Sequence, residues 1–231
     1  MDFYDVLDKR KSFSVYDNDR VPTLDTIREI LKQSHEHTPV RTNQYNYRVH
    51  VFGPEHYQDK VRLCSITASG SRGDVLQNVE SSPEAYDEIQ DSFFQFYEKL
   101  RDTGIRLSFN GVGFNSQVIA PYLLIYTSEY SEVFTPSQWV DNVRSRYLHG
   151  QREKKYSRGV RDFYWVTQAS MSAMMTSLIA TEKGLDSSFM GCFNYHRTDA
   201  IFTLSLGYRK TDQQSSKGAG KPLFEEIVKF N

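Results

Sequence analysis

Cysteine is scarce in this chain: Cys64 and Cys192 are the only two in 231 residues. Two cysteines so far apart build no disulfide framework and have no metal-ligand spacing, so a reduced, cytoplasmic protein is expected. Long apolar runs are missing as well. The most apolar tract, "ASMSAMMTSLIA" at 169–180, is interrupted by hydroxyls and falls short of the roughly 20 residues that span a bilayer. No membrane partner is expected, and the N-terminus "MDFYDVLDKRK" has no apolar signal core. Nor is there a surplus of charge of either sign. Lys and Arg number 28 against 29 Asp and Glu, a net charge of −1, which excludes a general nucleic-acid binder with its basic excess. No Ser-His-Asp spacing, P-loop or dinucleotide glycine fingerprint occurs, and no pair of carboxylates stands out as acid and base. A reaction carried by a bound cofactor asks less of side chains than hydrolysis does.

What is present is aromatic and helical. Fifteen Phe and fifteen Tyr can build a core despite low mean hydropathy. "LDTIREILKQSHEH", 24–37, puts Leu24, Ile27, Ile30 and Leu31 on one face, with Thr23 as N-cap. "YNYRVHVF", 45–52, alternates Tyr45, Tyr47, Val49 and Val51 with polar residues, which predicts a strand with one buried face. Ile89, Phe93, Phe96, Tyr97 and Leu100 form an apolar helical stripe. "VIAPYLLIY", 118–126, reads as a central strand, although Pro121 within it demands an edge or a bulge. Residues 161–184 predict a long helix, apolar nearly all round in its second half and closed by Gly184 as a left-handed C′ residue. "AIFTLSLGYR", 200–209, is a further strand. No linker separates two cores, so residues 1–231 read as one α+β domain.

Anion-binding chemistry clusters in three places. Arg10, Lys11 and Ser12 follow a first helix; Arg41, Thr42 and Asn43 precede a strand; Arg209, Lys217 and Lys221 flank a Gly/Ser-rich tail. Arginine can fork two phosphate oxygens, and glycines let backbone approach a ligand. "HEH" at 35–37 suggests a metal site, but residues two apart on a helix point to different sides, so no metal is expected there.

In combination these stretches resemble the nitroreductase family of flavin enzymes. "KRKSFSVYDNDRVP" with "ILKQSHEHTPVRTNQYNYRVHVF" is similar to the family's entry. "VIAPYLLIYTSE" is similar to its Ala-Pro strand, and "ASMSAMMTSLIATEKGLDSSFMGCFN" to its long helix, Gly-Leu-Asp-Ser turn and the loop beneath the flavin. "LSLGYRK" and "GKPLFEEIV" resemble its last strand and C-terminal arm. Segments at about 55–115 and 128–160 match poorly and read as inserts, the second a possible lid.

The resemblance implies a central, mainly antiparallel sheet flanked by helices and a homodimer that exchanges its C-terminal arms. The arm from Pro222 and the Ile89–Leu100 stripe are the candidate interface elements. It implies FMN as cofactor, with NADH or NADPH as donor. The activity would be ping-pong hydride transfer through flavin N5 to a nitroaromatic, quinone or related small acceptor. Arg10, Lys11, Ser12, Lys217 and Lys221 would hold the phosphate end, with Arg209 assisting. Arg41 and Asn43 would lie near the ring or phosphate, Asn115 would face the ring edge, and Gly191 and Cys192 would lie in the loop on the N5 side. No side chain is implied as catalytic. The chain departs from the family pattern at Val40-Arg41, at Tyr45-Asn46-Tyr47 and at Gly191-Cys192, where a Glu is missing. The departures leave two alternatives open: a flavin-binding protein for storage or sensing, or a specialised enzyme for dehalogenation or heterocycle oxidation.

Overall fold

The structure, a computed structural model, describes residues 2–13, 15–40, 45–60, 95, 108–109, 112–113, 119–128, 138, 160–190, 200–210 and 227–228. Helix α1 (Phe3–Lys9) starts on a capping box: Asp2 accepts from the Asp5 N–H at 2.9 Å, and Asp5 accepts from the Asp2 N–H. Helix α2 (Leu24–His37) starts where the sequence places it, with Thr23 Oγ1 accepting from the Thr26 N–H at 3.1 Å. Strand β1 is Tyr47–Phe52, and a 3₁₀ turn, Pro54–His56, ends it. Strand β2 (Ser108–Phe109) pairs antiparallel with β3 (Val112–Gly113). Strand β4 (Tyr122–Ser128), helix α3 (Val160–Glu182), strand β5 (Asp186–Met190) and strand β6 (Ala200–Gly207) complete the described elements. Among the described residues, no helix is long and apolar enough to cross a membrane.

The main sheet has the order β1-β4-β6-β5 and every pairing is antiparallel. Central placement of β4 agrees with its apolar run, and the objection from Pro121 disappears because the strand begins one residue later. Pro121 therefore never owes the ladder an N–H. The edge strand β5 has no counterpart in the sequence reading, which took Gly-Leu-Asp-Ser as a turn running into a loop. Its DSSFM sequence has weak strand propensity, and pairing with β6 supplies what local preference does not.

One face of the sheet carries Tyr47, Leu124, Tyr126, Leu204 and Leu206, packed on Ile27 and Ile30 of α2 and Ala169, Ala173 and Ala180 of α3. Small residues along α3 let it lie close to an aromatic surface. Tyr126 stacks on Phe202, its β6 neighbour in register, with centroids 4.9 Å apart. Buried hydroxyls between the helices are chained together. Tyr126 OH lies 3.3 Å from Thr176 Oγ1, which lies 2.8 Å from Ser34 Oγ, and Ser34 donates to the Ser172 carbonyl at 3.0 Å. Every link has a partner, as burial demands.

The end of α3 is a Schellman turn. Leu185 N–H donates to the Ala180 carbonyl and Gly184 N–H to that of Thr181, with Gly184 at φ 79°. The helix is less uniformly buried than its composition predicts, because Val166, Met171 and Met174 are exposed.

Gly207 closes β6 at a crowded point. A Cβ there would stand 2.7 Å from Pro121 Cδ and 2.8 Å from Tyr16 Cδ1. Gly207→Ala is expected to lower unfolding free energy by about 1–3 kcal/mol through overpacking. Urea denaturation with an unchanged midpoint would refute the crowding.

Candidate functional site

The basic segment after α1 is laid against the ends of β5 and β6. Arg10 caps α1 through its own N–H, which donates to the Val6 carbonyl at 2.9 Å. Ser12 then forms a parallel bridge with Ser187, and Phe13 N–H donates to the Ser187 carbonyl at 3.3 Å. Tyr16 bridges Arg209 in the antiparallel sense, and Asp17 N–H donates to the Tyr208 carbonyl at 2.7 Å. The segment docks through its apolar side chains: Phe13, Val15 and Tyr16 are buried, while Lys11 stays exposed. Tyr16 reaches through to Ser205, with the two hydroxyl oxygens 2.6 Å apart. Burial pushes the Tyr16 phenol well above its ordinary range, although the Ser205 bond opposes this, so it stays neutral.

Arg209 follows β6 and meets the same segment. Its guanidinium carbon lies 4.6 Å from the Phe13 ring centroid, a cation–π contact. Its backbone N–H donates to Asp186 Oδ2 at 3.0 Å, and its Nε stands 3.7 Å from the same oxygen. Burial raises the Asp186 carboxyl pKa, with the Arg209 N–H and charge pulling it back. Arg20 lies over the neighbouring Tyr208 ring at 4.4 Å. Arg10, Lys11, Ser12 and Arg209, some 200 residues apart in the chain, thus share one corner. Arginine forks, an ammonium and a hydroxyl are the donor set that a phosphate dianion takes up. The residues present therefore fit the phosphate end of a nucleotide cofactor.

Arg41, Asn43, Asn115, Gly191, Cys192, Lys217 and Lys221 lie outside the described residues. The apolar stripe from Ile89 to Leu100, save the single residue Gln95, lies outside them too, as does most of the tail. His35 packs on Tyr45 with centroids 4.4 Å apart, and among the described residues no group of three or more His, Cys, Asp or Glu could hold a metal. Sequence reasoning missed Asp186, Phe13 and Tyr16 at this corner. Only the Asp of Gly-Leu-Asp-Ser offered a signal, and its link to Arg209 depends on a strand pairing that short-range patterns do not reveal.

Two cavities flank α3. One of about 380 Å³ is lined by Ser170, Met174, Phe189, Met190 and Phe202. The other, about 270 Å³, lies between α2, β1 and α3 and includes Ser34, His35, Tyr45 and Tyr47. The first is apolar and aromatic with one hydroxyl, and Met190 is the residue immediately before Gly191-Cys192.

An antiparallel sheet under one long helix, with basic residues gathered at a strand end, defines an α+β protein with a candidate anion seat. The sequence profile of the nitroreductase family matches residues 7–211, and the chain belongs to that family. Solved structures agree on the fold. A nitroreductase-like family protein from Bacillus cereus is 12% identical, with 100% of this chain and 96% of that one covered at a TM-score of 0.59. A Staphylococcus epidermidis protein assigned as an NAD(P)H:FMN oxidoreductase is 16% identical, with 100% and 96% covered at 0.56. Iodotyrosine deiodinase, solved with FMN and 3-iodo-L-tyrosine, is 15% identical, with 99% and 98% covered at 0.51. No curated protein matches the sequence.

Proposed function

We propose that the protein is an FMN-dependent NAD(P)H oxidoreductase that reduces small acceptors such as nitroaromatics or quinones. The observation that carries this reading is the convergence of Arg10, Lys11 and Ser12 with Arg209 in a member of the nitroreductase family. The phosphate would be held at that corner, Lys217 and Lys221 closing from the tail. From there β5 runs from Asp186 to Met190, and Gly191-Cys192 follow it in the sequence, so β5 would connect the phosphate seat to the segment that would border the ring. Arg41 and Asn43 would border the ring or phosphate, and Asn115 would face the ring edge. When bound, FMN supplies the hydride-accepting and hydride-donating centre that no side chain here provides. The chain's own task is to bind, orient and exclude water, which by itself supplies a large part of a rate enhancement.

A homodimer belongs to the same proposal. It is supported by the apolar side chains left exposed on two helices packed together: Phe3, Tyr4 and Leu7 of α1, and Val166, Met171 and Met174 of α3. A second copy of the chain would cover them, with the C-terminal arms exchanged. Size-exclusion chromatography with light scattering and visible absorbance tests both parts. A flavin spectrum eluting at twice the 26.9 kDa chain mass is expected. A colourless protein that gains no flavin absorbance on adding FMN sinks the cofactor reading, and a monomer at micromolar concentration sinks the dimer.

The missing Glu at Gly191-Cys192 favours one rival, a flavin-binding protein without general reductase turnover. NADH or NADPH oxidation by the flavin-loaded protein with a quinone present separates the two, and no turnover favours the rival.

A further inference from the structure

Asp186 opens β5, and the proposed function leaves its carboxylate without a task. The side chain is 15% exposed, behind an Arg209 side chain that is 48% exposed. One oxygen, Oδ2, holds both the backbone N–H of Arg209 at 3.0 Å and its Nε at 3.7 Å. The guanidinium in turn lies over Phe13, the residue that follows Ser12, and Phe13 is hydrogen-bonded to Ser187, the residue that follows Asp186. Asp186, Arg209, Phe13 and Ser187 close a ring of contacts just after the basic segment. Because burial raises the folded carboxyl pKa, the contribution of Asp186 to stability is present below its unfolded pKa and is lost as pH rises through the folded value. The charged form of Asp186 is therefore held at a cost to the fold, which the Arg209 N–H and charge reduce. Such costs cluster where a group acts on a ligand.

We propose that Asp186 is a positioning residue for the phosphate of the bound cofactor, acting through Arg209: it fixes the guanidinium over Phe13, beside Arg10, Lys11 and Ser12, before the ligand arrives. The inference rests on the reading of this corner as a phosphate seat. A long arginine side chain released from its carboxylate must be immobilised when the phosphate binds, which lowers affinity by about threefold to tenfold. Loss of a nearby negative charge acts in the opposite sense, so the direction of the change decides between pre-organisation and simple repulsion.

The test is titration of the full-length apo-protein with FMN and with riboflavin at one salt concentration, followed by flavin fluorescence. Asp186→Asn keeps an acceptor for the Arg209 N–H and removes the charge. It is expected to bind FMN about three to ten times more weakly with riboflavin binding unchanged. Its melting temperature is expected to be no lower than that of the native protein. Asp186→Glu recovers part of the loss, and Asp186→Asn adds nothing in an Arg209→Met background. FMN binding as tight as native or tighter, an equal loss for riboflavin, or an equal further loss in the Arg209→Met background overturns the proposal. Should Asp186→Asn not fold, Arg209→Met alone must show the FMN-specific loss, and its absence overturns it. Native protein that binds no FMN overturns the phosphate reading and this inference together. Native protein that binds FMN while Asp186→Asn matches it overturns the role of Asp186 alone.

Discussion

Joint replacement of Arg10 and Lys11 by alanine is expected to weaken FMN binding by about 100-fold while leaving riboflavin binding within about twofold. Hydrogen bonds to a charged group contribute about 1.5–3 kcal/mol each, and every 1.4 kcal/mol is a factor of ten. Two such donors would exceed 100-fold if fully buried, but Lys11 is exposed and its share is screened by solvent and salt. The fold should survive the change. Arg10 contributes its backbone N–H to the end of α1, and alanine keeps that bond. Docking of the segment comes from Phe13, Val15 and Tyr16, which the double variant retains. Fluorescence titration of the native and variant apo-proteins at two salt concentrations checks the result. Equal losses for FMN and riboflavin would show that the segment does not read the phosphate. The variant should also show a shallower salt dependence, because two cations no longer take part.

The second large effect concerns the core. Tyr126→Ala is expected to lower unfolding free energy by about 3–5 kcal/mol, the range for deleting a fully buried aromatic ring. Tyr126 has 0% exposure, stacks on Phe202 and faces Tyr47 at 6.2 Å between centroids. Its removal leaves a cavity between the sheet and α3 that small helix residues such as Ala169 and Ala173 cannot fill. The hydroxyl adds a smaller amount. Tyr126→Phe removes the hydroxyl that bonds Thr176, and about 1 kcal/mol is expected, since Thr176 keeps its contacts with Ser34 and the Ser172 carbonyl. Denaturant unfolding of both variants gives the two numbers. An alanine variant as stable as the phenylalanine one would mean that the aromatic contact contributes little.

These two predictions differ in how much of each was legible in the chain. Helix α2 and its Thr23 cap, the span of α3 and its Gly184 stop follow from the 3.6 periodicity and local capping chemistry, and buried β4 follows from its continuous apolar run, signals that act over a few residues. In β1 the alternation holds only in part, since Tyr47 is buried, Val49 and Val51 are half-buried and Phe52 on the other face is fully buried. The basic character of residues 9–11 is equally local, and the ordered set of motifs was enough to indicate the family. Pro121 implies an edge or a bulge, yet β4 is central, because the strand starts at Tyr122 and a proline's missing N–H matters inside a ladder and not before it.

Long-range pairing accounts for the remainder. Nothing local in DSSFM marks an edge strand; β5 exists because β6 offers it a ladder. Likewise the Tyr16–Ser205 bond spans 189 residues, and the Asp186–Arg209 contact depends on where two strand ends meet. By itself the sequence determined which segments are helical, which are extended and which chemical groups are available to bind an anion, since those properties reside in neighbouring residues. Only the tertiary structure decided that the segment following Arg10, Lys11 and Ser12 packs against Arg209, and that Asp186 contacts that arginine. Side chains so far apart in the chain become neighbours through sheet register, a property of the folded whole and of no single segment.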